Sequence, residues 1–479
     1  MNEEKVLNTR QQLISQLTEL RLEQGMTQAE LARLVGTQRS NISRFESGLQ
    51  NVTLDFYIRI ADALGQEISF LWEQNGTQKN LRMRLSEAGT DEERGDCYSL
   101  RLFDEELLRF KLENRGLEGL KAEILWVKEK ADERLPLDLT VSGEGLVKWL
   151  RRRVIPKNRA FVDEILRSLG LSINDTKGII DVCLGLSLND SYWIVPDGFD
   201  GSFAEYNLYE NRFSEALALV AYTGAGYSRE AFSTSPELTT HGMLRKAWRY
   251  IEADGVYLYK GGTEGGVNTG NEPFSEFYAC QIAEKMGLEA VRYDLENWKG
   301  ILASKCRLFT SPKVSFVSAG QLVKSGGIGG CLEYYDCLGA EFGEKLRSML
   351  VFDAVIYNED RHFGNFGLLR DSHTGKILAP APIFDNGLSL FNYGMAEDFA
   401  DSDALAAYAA TRSTPYGISF EEICRQVIGP KQRSQLRRLI GFKFKRHPNP
   451  ELNLPDWRLA AIEEQIQRRV RHLLAMPRK

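Results

Sequence analysis

The sequence predicts a multidomain chain, with an all-α module at the N-terminus followed by a longer α+β region. Three observations predict this. Residues 27–48 hold two short helical patterns around a glycine turn. Residues 255–262 alternate like a strand and precede a helical pattern over 275–286. An apolar run at 349–356 leads into a loop rich in Asp and Asn, and then into a short strand pair.

At 479 residues the chain has room for two or three domains. The boundaries read as 1–75, 76–230 and 231–479. The net charge of −6 excludes a uniformly basic nucleic-acid coat but leaves room for a local basic face. Seven cysteines without C-x-x-C spacing fit reduced thiols rather than a disulfide framework. Five histidines without an H-E-x-x-H pattern argue against a zinc hydrolase. The N-terminus is polar, with no signal-type apolar core. No apolar run is long enough for a bilayer span. The expected location is therefore the cytoplasm, with no membrane partner.

In the first segment Leu13, Ile14, Leu17 and Leu20 give a helix with one apolar face. Thr27 and Glu30 form a capping box for the next helix, and Gly36 ends it. A further helix starts at Thr37 or Gln38 and stops at Gly48. A small residue, Ala29 or Ala32, suits a close crossing, so the pair reads as a helix-turn-helix. Leu54, Tyr57, Ile58, Ile60, Ala61 and Leu64 supply a later helix. Leu31, Leu34 and Ile42 read as core. On the runs 26–32 and 42–48, the segment from Leu20 to about Phe70 resembles the lambda-repressor/Cro-like (XRE) DNA-binding family. That resemblance implies a second helix entering the major groove, with Gln38, Arg39, Ser40 and Ser43 facing base edges. Gln28 and Arg44 would meet phosphate. It implies operator DNA as a partner and a homodimer on paired half-sites.

The middle is less legible. Residues 75–80 read as a linker and 86–95 as a polar turn-rich run. Residues 97–103 and 122–127 read as strands, and 145–155 and 159–171 as helices. The run Arg151-Arg152-Arg153 fits either an anion-facing patch or a solvated helix end, the latter being commoner. Aromatics over 186–194 and 203–209 read as packing against the following domain.

In the final segment, residues 233–243 form a polar loop holding hydroxyls and Gly242. The strand over 255–262 places Lys260 near its end. Such a loop folded over such a strand suits gripping nucleotide phosphates, which makes Ser235, Thr239, Thr240 and Gly242 candidate contacts. Glu276 on the next helix can pair with Lys260. The loop Asn358-Glu359-Asp360-Arg361-His362-Phe363-Gly364-Asn365 follows, and then Phe384-Asp385. An acid to orient an attacking hydroxyl, with an amide and a carboxylate for Mg²⁺, is what phosphoryl transfer requires. Gly364 would give the loop conformational latitude. The bland reading is an Asp/Asn-rich surface loop before a hairpin, with Lys260 an exposed strand lysine and Glu276 a helix-start acid.

In that order the set follows protein-kinase logic, although Asp360-Arg361-His362 inverts the kinase His-Arg-Asp. On Tyr259-Lys260, the helix from Glu276 to Gly287-Leu288, and the Asn358 to Asn365 motif with Phe384-Asp385, residues 235–440 resemble HipA-type toxin kinases. These are distant relatives of phosphoinositide kinases, with a two-lobed α+β fold. The resemblance implies ATP- and Mg²⁺-dependent Ser/Thr phosphorylation of a protein target, such as a component of the translation machinery. It makes Asp360 catalytic with His362 ordering its loop, Asn365 and Asp385 the Mg²⁺ ligands, and Lys260 a phosphate contact. It also implies autophosphorylation in the phosphate loop, at Ser233 or Ser235, with Thr239 and Thr240 as further candidates.

The chain departs from that family in fusing the DNA-binding, antitoxin-like module to the kinase, so regulation can be intramolecular. Two rival readings remain. A transcription regulator with a nucleotide-sensing kinase fold is disfavoured by the intact Asp360, Asn365 and Asp385. A lipid kinase is disfavoured by the lack of an amphipathic membrane-binding helix. The basic stretch 432–478 reads as helical, with a DNA or tRNA contact as one reading and a solvated helix face as the commoner one.

Overall fold

A computed structural model divides the chain into two units, Met1–Asp96 and Cys97–Lys479. It describes residues 3–48, 54–75, 78–87, 97–114, 119–131, 133–225, 234–252, 254–266 and 268–477.

The first unit opens with helices α1 (Glu3–Glu23), α2 (Gln28–Val35), α3 (Arg39–Glu46) and α4 (Leu54–Ala63). The Thr27–Glu30 capping box is formed, and Gly36 closes α2 at φ 71°, where a side chain would be strained. Leu13, Ile14, Leu17, Leu31, Ile42, Phe45 and Ile60 interlock as the core. Arg21 is buried and pairs with Glu46, locking α1 to α3. Leu34 departs from expectation: it is 56% exposed, because Leu31 and Val35 already fill the inner face of α2. Ile58 is likewise exposed. Of residues 75–80, expected as a linker, Asn75 ends strand β1 (Gln66–Asn75) and 78–80 open β2 (Gln78–Glu87), paired antiparallel along their length, while 76–77 lie outside the described residues.

The second unit begins with strands β3 (Cys97–Leu102), β4 (Glu105–Asn114) and β5 (Leu120–Val127). Helices α5 (Gly143–Arg151), α6 (Val162–Arg167) and α7 (Thr176–Cys183) follow, then strand β6 (Tyr192–Pro196) and helices α8 (Phe203–Tyr206) and α9 (Glu215–Thr223). The sheet order is β5-β4-β3-β6. Leu100, Leu108 and Phe110 from the sheet pack with Leu146, Leu150, Ile165 and Ile180 from the helices. The arginine run is not a uniformly solvated tip. Arg153 is 8% exposed and forks onto the Asp190 carboxylate, the carbonyl of Gly185 and that of Tyr192. The helix expected over 159–171 is confined to α6, and Arg159 before it is buried. Trp193 and Phe203 do pack against Val256, Trp248 and Tyr250 of the following sheet.

That sheet has order β7-β8-β10-β9, from β7 (Lys246–Ile251), β8 (Gly255–Gly261), β9 (Tyr293–Trp298) and β10 (Ile301–Arg307). Helix α10 (Glu272–Met286) crosses between β8 and β9. Strand β11 (Val314–Ser318) comes next, then helices α11 (Ala319–Leu322), α12 (Gly327–Leu338) and α13 (Ala340–Ile356). Strands β12 (Gly367–Asp371) and β13 (Ile377–Pro380) form the expected pair and join β11 in a second small sheet. Helices α14 (Ser402–Ala410), α15 (Phe420–Val427), α16 (Pro430–Arg437) and α17 (Asp456–Ala475) complete the chain. Of the basic stretch, residues 432–437 end α16 and 456–475 form α17, with a short 3₁₀ turn at Pro450–Leu452 in the link between them.

The second half of α13, residues 348–356, is apolar nearly all round and is buried accordingly, with Leu350, Phe352, Val355 and Ile356 inside the largest core. This rigid helix aims the loop that follows it.

Candidate active site

Lys260 stands at the end of β8 with its ammonium 2.6 Å from Glu276 Oε1 and 2.5 Å from Asp385 Oδ1. Glu276 sits in the second turn of α10 and is 1% exposed. Its other oxygen accepts from the Asn386 amide at 3.0 Å. The expected pairing of Lys260 with Glu276 is therefore present, and Asp385 closes the set.

Asp385 adopts φ 56°, a left-handed conformation that non-glycine residues seldom hold without support. The support is visible: its amide donates to Tyr293 Oη at 3.1 Å, and the carbonyl of Phe384 accepts from Arg361 Nη1. Arg361 is fully buried. It forks onto Asp353, and reaches the Asn365 carbonyl at 3.0 Å and Asn386 Oδ1 at 2.5 Å. One guanidinium thus ties the Asp360–Asn365 loop to the Asp385 loop, and Tyr416 Oη donates to the Arg361 carbonyl from outside.

Within the loop, the Asp360 carbonyl accepts from Asn365 Nδ2 at 2.9 Å. That bond turns the other amide atom, Oδ1, away as an acceptor. His362 Nδ1 accepts from the Gly364 amide at 3.0 Å, so His362 orders the loop through a hydrogen bond. The need for glycine at 364 is steric rather than conformational. A Cβ there would lie 2.7 Å from the His362 ring.

A cavity of about 1140 Å³ is lined by Lys260, Asp360, His362, Asn365 and Asp385 together with Thr239, Thr240 and Gly242. Lys246 also lines it, directly across the β7–β8 ladder from Lys260. Two lysines opposite each other repel, which is tolerable where an anion is to be held between them. The Lys246 ammonium donates to the His241 carbonyl at 2.8 Å, and a Cβ at Gly242 would lie 2.1 Å from it, so the loop wraps the lysine head. Thr240 is held by Pro236 and Trp248. Ser235 is 1% exposed, caps the short 3₁₀ turn Pro236–Leu238, and is not among the cavity-lining residues. Ser233 lies outside the described residues.

Protonation follows from these contacts. Burial alone would lower Lys260, but the Asp385 and Glu276 carboxylates outweigh it and raise its pKa. Burial would raise Asp385, yet Lys260 and Lys246 hold it down to about 2. Asp360 is raised, first by burial and then by the Asp385 charge, against the pull of His362. Lys246 is lowered to about 7 by burial and by Lys260. The site therefore pairs a firmly ionised carboxylate with a second, more basic one.

In the N-terminal unit, Gln38, Arg39, Ser40, Ser43 and Arg44 are exposed along α3. Gln28 is half-buried, its amide donating to Glu46 at 2.7 Å.

Sequence reasoning missed Lys246, Arg361 and Asp353. Asp353 left a signal, as the one charge within the apolar run 349–356. Arg361 lay inside the motif, read only for its neighbours. Lys246 becomes visible only through the strand register.

Residues 17–71 match the helix-turn-helix family model HTH_3, so the N-terminal unit carries such a domain. A stretch of 142 residues, 27% of the chain, is 34% identical to the serine/threonine-protein kinase CtkA of Helicobacter pylori. The match spans 43% of that curated relative, less than half its length. Two solved structures are similar. The Helicobacter pylori proinflammatory kinase CtkA aligns with TM-score 0.38 and 19% identity, covering 48% of this chain and 92% of that one. The Shewanella oneidensis MR-1 toxin–antitoxin complex of HipA, HipB and operator DNA aligns with TM-score 0.48 and 13% identity, covering 80% and 100%.

Proposed function

We propose that the chain is an ATP- and Mg²⁺-dependent protein serine/threonine kinase that carries its own DNA-binding module. The observation that carries this reading is the Lys260 ammonium held between Glu276 and Asp385, in the cavity that Asp360 and Asn365 also line. The sequence similarity to a serine/threonine-protein kinase supports it.

ATP is the substrate. Lys260 and Lys246 bind its phosphates, with the loop at Thr239, Thr240 and Gly242 folded over them. The donor set suits Mg²⁺: Asp385 stays charged, and Asn365 offers Oδ1 because its Nδ2 is spent on Asp360. Among the described residues no group of three His, Cys, Asp or Glu side chains forms a self-sufficient metal site. A cation that takes its remaining ligands from phosphates and water needs none. Bound there, Mg²⁺ would neutralise phosphate charge. Asp360 accepts the proton of the attacking Ser or Thr hydroxyl, whose oxygen forms the new bond to phosphorus as the bond to ADP breaks. Its raised pKa suits it to hold that proton.

The acceptor is a protein, with a component of the translation machinery as one candidate and Ser233 or Ser235 as sites on the chain itself, Thr239 and Thr240 being further candidates. Gln38, Arg39, Ser40, Ser43 and Arg44 read operator DNA as a homodimer, and the fused module acts in an autoregulatory, toxin–antitoxin manner in the cytoplasm. Among the described residues no helix is long and apolar enough to cross a membrane.

Mass spectrometry after incubation with ATP and Mg²⁺, beside Asp360→Asn, tests the reading. Phosphate is expected on the wild type and absent from the variant. Neither phosphate transfer nor ATP hydrolysis by the wild type would overturn the kinase and favour a nucleotide sensor.

A further inference from the structure

The phosphate loop is anchored from the middle of the chain rather than from its own sheet alone. Arg159 precedes α6 and is buried with Glu237, both side chains fully enclosed. Its Nη2 donates to the Glu237 carboxylate and, at 3.1 Å, to the Lys246 carbonyl. Its Nη1 donates to the Glu237 carbonyl at 2.5 Å and weakly to that of Thr240. The second Glu237 oxygen accepts from the Trp248 amide at 2.6 Å on β7. Beside this, His241 Nε2 meets the Arg152 carbonyl at 2.7 Å, and the Ala160 amide donates to the Met243 carbonyl at 2.8 Å. Residues 152–160 thus grip the loop at 237, 240, 241 and 243, and its partner lysine at 246.

We propose that Arg159 is the positioning residue of the phosphate loop, a latch through which residues 152–160 set nucleotide affinity. The proposal rests on the nucleotide-binding reading of the same cavity. An ion pair taken wholly out of water needs good geometry and further hydrogen bonds to its spare donors and acceptors; here both Nη atoms and both carboxylate oxygens have partners, and Arg159 Nε is buried with none among the described residues. Nothing in it touches the cavity centre, so its effect on ATP passes through the backbone it fixes. That backbone presents Thr240, His241 and Gly242 to the phosphates, while the His241 carbonyl holds the Lys246 ammonium. A loop freed from the latch must be ordered at the moment of binding, and the affinity falls accordingly.

The test is equilibrium binding of a fluorescent ATP analogue, together with KM and kcat for ATP, on the full chain. Arg159→Lys keeps the charge and loses the planar fork. Arg159→Met/Glu237→Gln keeps an acceptor for the Trp248 amide without leaving a buried charge alone, so it decides the matter even where Arg159→Met alone fails to fold. Both variants are expected to weaken binding on the order of tenfold, to raise KM for ATP in parallel with little change in kcat, and to speed amide exchange over 234–243. Arg159→Lys should be the milder. A lowered melting temperature with binding, KM and loop exchange unchanged would make the pair merely structural and overturn the latch. A wild-type chain that binds no ATP would overturn the nucleotide site itself, and the latch with it.

Discussion

Replacing Arg361 by methionine should separate stability from catalysis at this site. Arg361 is wholly buried, and Asp353, its ion-pair partner, is 4% exposed in its side chain. Removal leaves Asp353 with one remaining side-chain bond, from Asn358 Nδ2 at 3.1 Å. Burial already raises the Asp353 pKa against the pull of Arg361, so the carboxyl loses the group that keeps it ionised. Stripping one member from a buried ion pair costs about 3–5 kcal/mol. Total stabilities run to about 5–15 kcal/mol, so Arg361→Met should remain folded in the cold and melt early. Adding Asp353→Leu removes the stranded carboxyl and should restore most of that stability. It cannot restore the bonds from Arg361 to the carbonyls of Asn365 and Phe384 and to Asn386. The Asp360 and Asp385 loops would then drift apart, and a misplacement of about 1 Å costs on the order of 100-fold in rate. Denaturant unfolding and labelled-phosphate transfer, run on both variants, check this. A single variant as stable as wild type, or a double variant with wild-type turnover, would refute the assignment of Arg361 as the tie between the loops.

Asp360→Asn and Asp385→Asn should each abolish phosphate transfer in a folded chain, and retained turnover by Asp385→Asn with purified protein would sink its role. For Lys246 the sign follows from its folded pKa of about 7, below its ordinary value. The native state binds fewer protons than the unfolded chain between those values, so stability rises with pH above about 7 and the penalty is greatest below it. A polyanion at the site pulls the proton back. ATP binding near pH 8 should therefore take up about one proton, read by calorimetry in buffers of different ionisation enthalpy, and Lys246→Met should take up none. Arg39→Ala should weaken operator binding by about 1–3 kcal/mol in gel shifts and leave phosphate transfer alone.

Local rules carried the N-terminal unit. A capping box, a glycine in left-handed conformation and a 3.6-residue apolar spacing are each written within a few positions. The exposed Leu34 shows their limit, since periodicity gives a face but not its width. The Asn358–Asn365 loop was legible as a candidate because phosphoryl transfer needs particular residue types at short spacing, and the strand pair after it lies where the turn residues predict. What stayed hidden depends on register and on long-range contact. Lys246 gains its meaning only from standing opposite Lys260 on the neighbouring strand. Arg159 gains its meaning only from Glu237, 78 positions away in the chain. The three arginines 151–153 look alike in sequence, yet one is buried on Asp190 while its neighbours face outward.

The three buried or half-buried aspartates of the site receive different tasks from their surroundings. Asp353 is bonded by Arg361 and Asn358 and turned away from the cavity lining, so it can serve only to hold Arg361. Asp385 faces two lysines that fix its charge, which suits a cation ligand and makes it a poor proton acceptor. The Asp360 carboxylate is bonded by none of the described residues, faces the cavity, and carries a raised pKa. Of the three it alone is free to meet an incoming hydroxyl and basic enough to hold the proton. A nucleotide sensor would need the Lys260–Asp385 pair and the phosphate loop but would have no use for that arrangement at Asp360. The environment of this one carboxylate is therefore what weighs transfer above sensing.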